Sequence, residues 1–375
     1  MSGWLEELDR LAASRAKAGL TRQLRPRATA VDLAGNDYLG LAGDPRVTEA
    51  AAGALARWGL GATGSRLVRG TTSAHASLEA SLGEWLGTAA ALVFSSGYLA
   101  NLAAVRSMAA LCDVIVSDAY NHASLIDGCR MAGTKTIVAP HNSPSAVAAI
   151  LDAQAPSTAV VVTESVFSVD GDLAPLAELH EVTSSRGALL LVDDAHALGL
   201  LGPEGAGGVA AAGLAGKPDV VVTATLSKSL GGAGGVVAGP AQFIKHLIDT
   251  GRTFIYDTAL PPAVAAGVEE SLRIARAADD RRALVAGRAA QAVARLRSAG
   301  FEVASPAAGV LSVVAPGPEA ALAWAADCRD RGIAVGCFRP PSTPDGSSRL
   351  RLTLNAGVTG PDFARALDVI VECAP

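Results

Sequence analysis

Seven short apolar runs recur through the middle of this chain, at residues 91–94, 114–116, 136–138, 159–163, 188–192, 220–223 and 235–238. Most are separated by Ala- and Leu-rich stretches of the length that a crossover between parallel strands needs. A strand that is apolar at every position is buried on both faces. The pattern therefore predicts an α/β fold: a mostly parallel seven-stranded sheet with helices on both faces. Ahead of it, residues 4–18 predict an amphipathic helix carrying Leu5, Leu8 and Leu11 on one side, and Val31-Asp32-Leu33 predicts a short strand. Helical patterns near 46–57 and 74–86 lead into the repeating units. After Pro261-Pro262 the rhythm breaks. Helices are expected near 262–277, 281–299, 318–331 and 361–372, with strands at 310–314 and 350–354. The expected division is an N-terminal helix and arm over 1–44, a large domain over 45–260, and a smaller α+β C-terminal domain over 261–375.

Composition excludes several classes. Of 375 residues, 50% are hydrophobic and 18% charged, which argues against disorder. The net charge is −5, and Arg22, Arg25 and Arg27 form only a loose basic cluster, so nucleic acid is not an expected partner. Five scattered cysteines show no metal-ligand spacing and read as reduced, structural thiols of a cytoplasmic protein. The acidic start Met1-Ser2-Gly3-Trp4-Leu5-Glu6-Glu7 lacks the apolar stretch of a signal peptide. No apolar run approaches the roughly 18 residues of a membrane span.

The chemistry sits where strands end, which is where open α/β sheets bind ligands. Thr225-Leu226-Ser227-Lys228-Ser229-Leu230-Gly231-Gly232 follows the run Val220-Val221-Val222, and Val192-Asp193-Asp194-Ala195-His196 ends another. A lysine at a strand end is ordinarily solvated. This one stands among hydroxyls that can hold phosphate and glycines that permit close backbone approach. An amine able to form a Schiff base, with a carboxylate able to hold a ring nitrogen, matches what pyridoxal phosphate (PLP) requires. Either Asp193 or Asp194 could supply that carboxylate; the other would cap a helix. His196 could meet the ring's phenolic oxygen. Phe94-Ser95-Ser96-Gly97-Tyr98 is a strand, a small-residue turn and a helix start, suited to a phosphate. His122 follows another strand end and could stack on a planar ring, with Glu164 and Ser168 positioning it and the cofactor. Arg349 and Arg351 lie in a strand-like run, where one guanidinium could take a substrate carboxylate.

In chain order, Asn36-Asp37-Tyr38-Leu39-Gly40-Leu41, Ser96-Gly97-Tyr98, His122-Ala123-Ser124-Leu125, Glu164-Ser165-Val166-Phe167-Ser168, Asp193-Asp194-Ala195-His196, Thr225 to Lys228 and Arg349-Leu350-Arg351-Leu352-Thr353 resemble the α-oxoamine synthases. These are PLP-dependent transferases of fold type I, and the resemblance spans nearly the whole chain. It implies PLP as cofactor, with Lys228 as the Schiff-base lysine and proton carrier. It places Asp193 on the pyridine nitrogen, His196 on the phenolic oxygen and His122 stacked on the ring. Gly97, Tyr98, Glu164, Ser168 and Thr225 would also line the cofactor. The segment Ile255 to Pro262 resembles one that reaches a neighbouring subunit's phosphate through Thr258, which implies a homodimer with active sites at the interface. Arg22, Asn36, Ser342 and Arg351 would contact substrate, Arg351 through the amino acid's carboxylate; Thr21 is the alternative to Arg22.

Phe338-Arg339-Pro340-Pro341-Ser342-Thr343-Pro344 and the following Arg-Leu-Arg-Leu-Thr run are most similar to the members that condense L-alanine with a pimeloyl thioester, carried by CoA or an acyl-carrier protein. Sister activities use glycine with acetyl-CoA or succinyl-CoA, and a silent binding subunit is a further alternative; retention of Lys228, Asp193, His196 and His122 speaks against the last. Departures from the family pattern are Ala197 in place of a glycine, Ser342 in place of a threonine, and the lack of a histidine in Asn355-Ala356-Gly357-Val358.

Overall fold

The computed structural model describes residues 3–27, 30–343 and 345–375. The seven apolar runs become strands β2 (Ala90–Phe94), β3 (Val114–Asp118), β4 (Lys135–Ala139), β5 (Ala159–Glu164), β6 (Leu189–Asp193), β7 (Val220–Thr225) and β8 (Gly235–Gly239); β1 (Val31–Leu33) precedes them. They pair in the order β2-β8-β7-β6-β5-β3-β4. Only β8 runs against its neighbours. Alternate residues feed opposite faces: Val160, Val162, Leu191 and Val221 pack in one core, and Val161, Leu190, Val192, Val220 and Val222 in the other. That two-sided burial is why these strands are apolar throughout.

The helices preceding and flanking the first strands are α1 (Gly3–Lys17), α2 (Pro45–Trp58), α3 (Ser73–Trp85), α4 (Gly97–Ala109) and α5 (Ala123–Ala132). α4 buries Ala100, Ala103 and Ala104 against the sheet, where small side chains allow a close approach to β7 and β8. α1 has the expected apolar side, yet Trp4, Leu5, Leu8 and Leu11 are all exposed.

A second, four-stranded sheet has the order β1-β10-β11-β9, with β9 at Val310–Ala315, β10 at Ile333–Phe338 and β11 at Ser348–Thr353. Its core joins Leu33, Leu311, Val313, Leu350 and Leu352 to Trp324 and Phe363. β10 was not evident in the sequence: Gly336, Cys337 and the adjoining prolines dilute its apolar signal, and pairing with β1 and β11 supplies what periodicity lacks. β1, predicted as a strand in the arm, lies parallel to β10.

Candidate active site

The carboxyl ends of β2, β5, β6 and β7 and the first turns of α4 and α5 enclose a cavity of about 240 Å³. Gly97, Tyr98, His122, Glu164, Asp193, His196, Thr225 and Lys228 all line it, joined by Ser96, Asn101, Ser124 and Ser227. Residues more than 130 positions apart thus meet because parallel strands deliver their ends to one rim.

Register explains the carboxylates. β5 and β6 end level with one another, so Glu164 stands beside Asp193, and both are buried. The side chain of Asp193 is held on two sides: Oδ1 accepts from the Ala195 amide at 3.0 Å, and Oδ2 from Asn101 Nδ2 at 2.6 Å. Asn101 is itself fixed, donating to Ser124 Oγ at 2.8 Å and accepting from Thr223 Oγ1 at 2.5 Å. Asp194 faces the other way. Its carboxylate takes the Gly208 amide at 2.9 Å, and burial lifts its pKa to about 6. Of the two adjacent acids, Asp193 lines the cavity and Asp194 does not, because neighbours at a strand end point to opposite sides. Glu164 accepts from the His122 amide at 2.6 Å, and burial, reinforced by the charge of Asp193, pushes its pKa well up.

Lys228 Nζ lies 2.8 Å from His196 Nε2, and His196 Nδ1 lies 2.6 Å from Tyr38 Oη. Desolvation lowers the lysine to about 8 against the opposing pull of Asp193, with Arg351 adding to the decrease. His196 is driven well down, by burial first and then by the Lys228 and Arg351 charges, so it is a neutral imidazole. Burial raises Tyr38, which remains a phenol. The result is a chain of hydrogen-bonding groups, Tyr38–His196–Lys228, with a nucleophilic amine at its cavity end.

At the opposite end, the Ser96 hydroxyl caps α4 by accepting the Leu99 amide. Gly97 stands so near β7 that a Cβ there would lie 2.9 Å from Thr225 Cβ. Thr225 Oγ1 and Ser227 Oγ are 2.7 Å apart. Helix dipole, free amides and paired hydroxyls make an anion cradle. The Tyr98 phenol donates to Asp127 Oδ2 at 2.6 Å. His122 lines the cavity mouth, its Nδ1 2.7 Å from Ser124 Oγ.

The substrate candidates form a second group. Arg351 holds Asn36 Oδ1 through Nη2 and the Ser168 carbonyl through Nη1 at 3.0 Å. Arg22 reaches Ser342 Oγ at 3.3 Å, whereas Thr21 offers its carbonyl to Arg339. Ser168 enters this network through its backbone and is not among the residues lining the cavity. Thr258 is exposed and also outside the cavity. Ser227 was expected beside Lys228 as a phosphate-binding hydroxyl, whereas Tyr38, Asn101 and Ser124 were not singled out from the sequence. Asn101 was discoverable, because it follows Gly97 by one helical turn and so shares its face; Tyr38 was not, because nothing local ties it to His196.

The residues fit PLP. An amine, a fixed carboxylate and an anion cradle face one another across a cavity a planar ring can enter, and a Cβ at Gly97 would press on the cradle. A family model described as "Aminotransferase class I and II" matches residues 28–370. An 8-amino-7-oxononanoate synthase of Mycolicibacterium gilvum is 48% identical over 372 residues, covering 98% of this chain and 96% of the relative. Among solved structures, a serine palmitoyltransferase from S. paucimobilis with a bound PLP–myriocin aldimine superposes with TM-score 0.91 at 30% identity, covering 98% of each chain. An 8-amino-7-oxononanoate synthase from Francisella tularensis gives TM-score 0.79 at 26% identity, covering 92% of this chain and 97% of the other. With this fold and this match over most of its length, the chain belongs to the class I and II aminotransferase family of PLP-dependent enzymes.

Proposed function

We propose that this protein is a PLP-dependent 8-amino-7-oxononanoate synthase, which joins L-alanine to a pimeloyl thioester with loss of CO2 and release of the thiol, a step of biotin synthesis. The reading rests on the opposed Lys228 amine and Asp193 carboxylate in one cavity, in a chain 48% identical over nearly its full length to an enzyme of that name. PLP, when bound, supplies an aldehyde for amines and a ring that accepts electron density from the substrate's α-carbon.

The protein's part is to hold and to move protons. Lys228 Nζ, lowered to about 8, keeps an appreciable neutral fraction at physiological pH and can take the α-proton of the amino acid. Neutral His196, 2.8 Å away, can accept a hydrogen bond from that ammonium once formed. Asp193, oriented by Asn101, would hold the positive ring nitrogen of the cofactor, and His122, which lines the same cavity, would stack on its ring. The α4 cradle and Thr225 would bind the cofactor's phosphate, with Thr258 reaching the phosphate in a partner subunit of a homodimer. Arg351, beside Asn36, takes the amino acid's carboxylate, while Arg22 and Ser342, bonded to each other, contact substrate.

The deciding experiment offers L-alanine and glycine together with pimeloyl-, acetyl- and succinyl-CoA to cofactor-loaded protein, with products read by mass spectrometry. The expected product is the amino ketone from alanine and pimeloyl-CoA. A dominant glycine product with a short acyl group would move the protein to a sister activity.

A further inference from the structure

Outside the cavity, one cluster of titratable groups is built around His141. Its Nδ1 lies 2.8 Å from Asp118 Oδ1 and its Nε2 lies 2.9 Å from Asp172 Oδ2. Two ring nitrogens on two carboxylates require both to donate, which is the imidazolium state. The ring is stacked on Tyr120 at 4.2 Å and meets Phe167 edge-on at 4.4 Å. Asp118 ends β3 and His141 follows β4, whereas Asp172 belongs to the loop of residues 165–174 that leaves β5. Asn142 doubles the tie: its amide donates to Asp118 Oδ2 at 2.9 Å and its side chain to Asp172 Oδ2 at 2.7 Å.

The far side of the same loop carries the second sheet. The Ser168 carbonyl accepts from Arg351, the Val169 carbonyl from Ser312, and the Gly171 carbonyl from the Ala307 amide; Asp170 pairs with Arg349. The loop is closed on itself by Phe167 N to Asp172 O at 3.0 Å and Ala174 N to Ser165 O at 2.9 Å, so a shift at Asp172 is passed to Ser168.

We propose that His141 is a positioning residue: by pinning the loop of residues 165–174 to the ends of β3 and β4, it sets where Arg351 stands and hence how tightly the amino acid's carboxylate is bound. This rests on the proposed function only in taking Arg351 as the carboxylate's partner. The charged or titratable groups facing the ring are Asp118 from β3, Tyr120 from the turn after it, and Asp172 from the loop. Burial works against the imidazolium, but the two carboxylates outweigh it and hold the pKa up at about 9. A histidine raised in this way keeps its clamp below its ordinary value of about 6.5 and loses it as pH climbs through the raised one.

The test compares cofactor-loaded wild type with H141Q and D172N. In H141Q, hydrogen exchange across residues 165–174 should quicken and KM for L-alanine rise, each about ten-fold, while kcat and the cofactor absorption stay within about two-fold. In wild type, KM for alanine should climb as pH passes about 9. D172N, lacking one of the two charges, should move that climb at least about one pH unit lower. A KM for H141Q within two-fold of wild type, or a climb that D172N leaves in place, overturns the proposal. Should wild type make no amino ketone from any CoA pair or from pimeloyl-acyl-carrier protein, the proposed function fails, and the exchange rates alone decide the clamp: equal rates in H141Q and wild type refute it.

Discussion

At the residue scale, the site depends on groups whose charge is set by their neighbours. Lys228→Ala removes both the Schiff-base amine and the proton carrier, so turnover should fall by at least about 10²–10⁴-fold, with loss of the visible absorption of the bound cofactor. Full turnover with an unchanged spectrum would refute the mechanism. Asn101→Ala leaves the Asp193 carboxylate and the Thr223 hydroxyl each short of a buried partner. It should cost about 1–3 kcal/mol in urea unfolding and also weaken cofactor binding; a variant as stable as wild type would show that water replaces the amide. Ala197, the residue that departs from the family's glycine, is fully buried against Val166 and Ala308, so its methyl fills core and leaves the His196 ring in place.

At the element scale, the close approach of α4 to β7 is what shapes the anion cradle. Gly97 has room for no side chain, because a Cβ would stand 2.9 Å from Thr225 Cβ and 3.1 Å from its hydroxyl. Gly97→Ala should therefore raise the dissociation constant for PLP about ten-fold, equivalent to about 1.4 kcal/mol, with circular dichroism unchanged. An unaltered constant in a fluorescence titration would remove the cradle from the cofactor site. A sharper constraint holds at Gly207, whose φ is +104 and whose added Cβ would sit 2.0 Å from Asp194 Oδ2. Gly207→Ala should destabilise the fold by about 2 kcal/mol or more, read as a lower Tm, because Asp194 would lose its place beneath the following helix.

At the scale of the whole molecule, apolar residues on the chain's surface point to a partner. Leu60, Leu67, Val68 and Tyr256 are exposed, and Tyr256 stands two residues before Thr258, which is exposed and does not line the cavity of its own chain. A second copy covering this surface would account for both. The expected result is a dimer by sedimentation with a Tm that rises with protein concentration, and a Val68→Asp variant that sediments as monomer and loses PLP affinity. A monomeric wild type with full cofactor affinity would contradict the expectation. No helix among the described residues is long and apolar enough to cross a membrane.

The sequence by itself determined the large sheet and most of the site's chemical groups. Strands buried on both faces must be apolar throughout, so β2 to β8 announce themselves locally, and reactive groups collect where such strands stop. Lys228, Asp193, His196 and His122 were legible for that reason. The tertiary structure alone decided which of two adjacent acids faces the cavity, since register and strand alternation are properties of pairing. It alone brought Tyr38 to His196 and Asn101 to Asp193, because hydrogen bonds across 158 and 92 residues leave no periodic trace in a chain. For the same reason β10 and the His141 clamp emerged only from the fold: each is held by partners distant in sequence, and their energy comes from contact rather than local propensity.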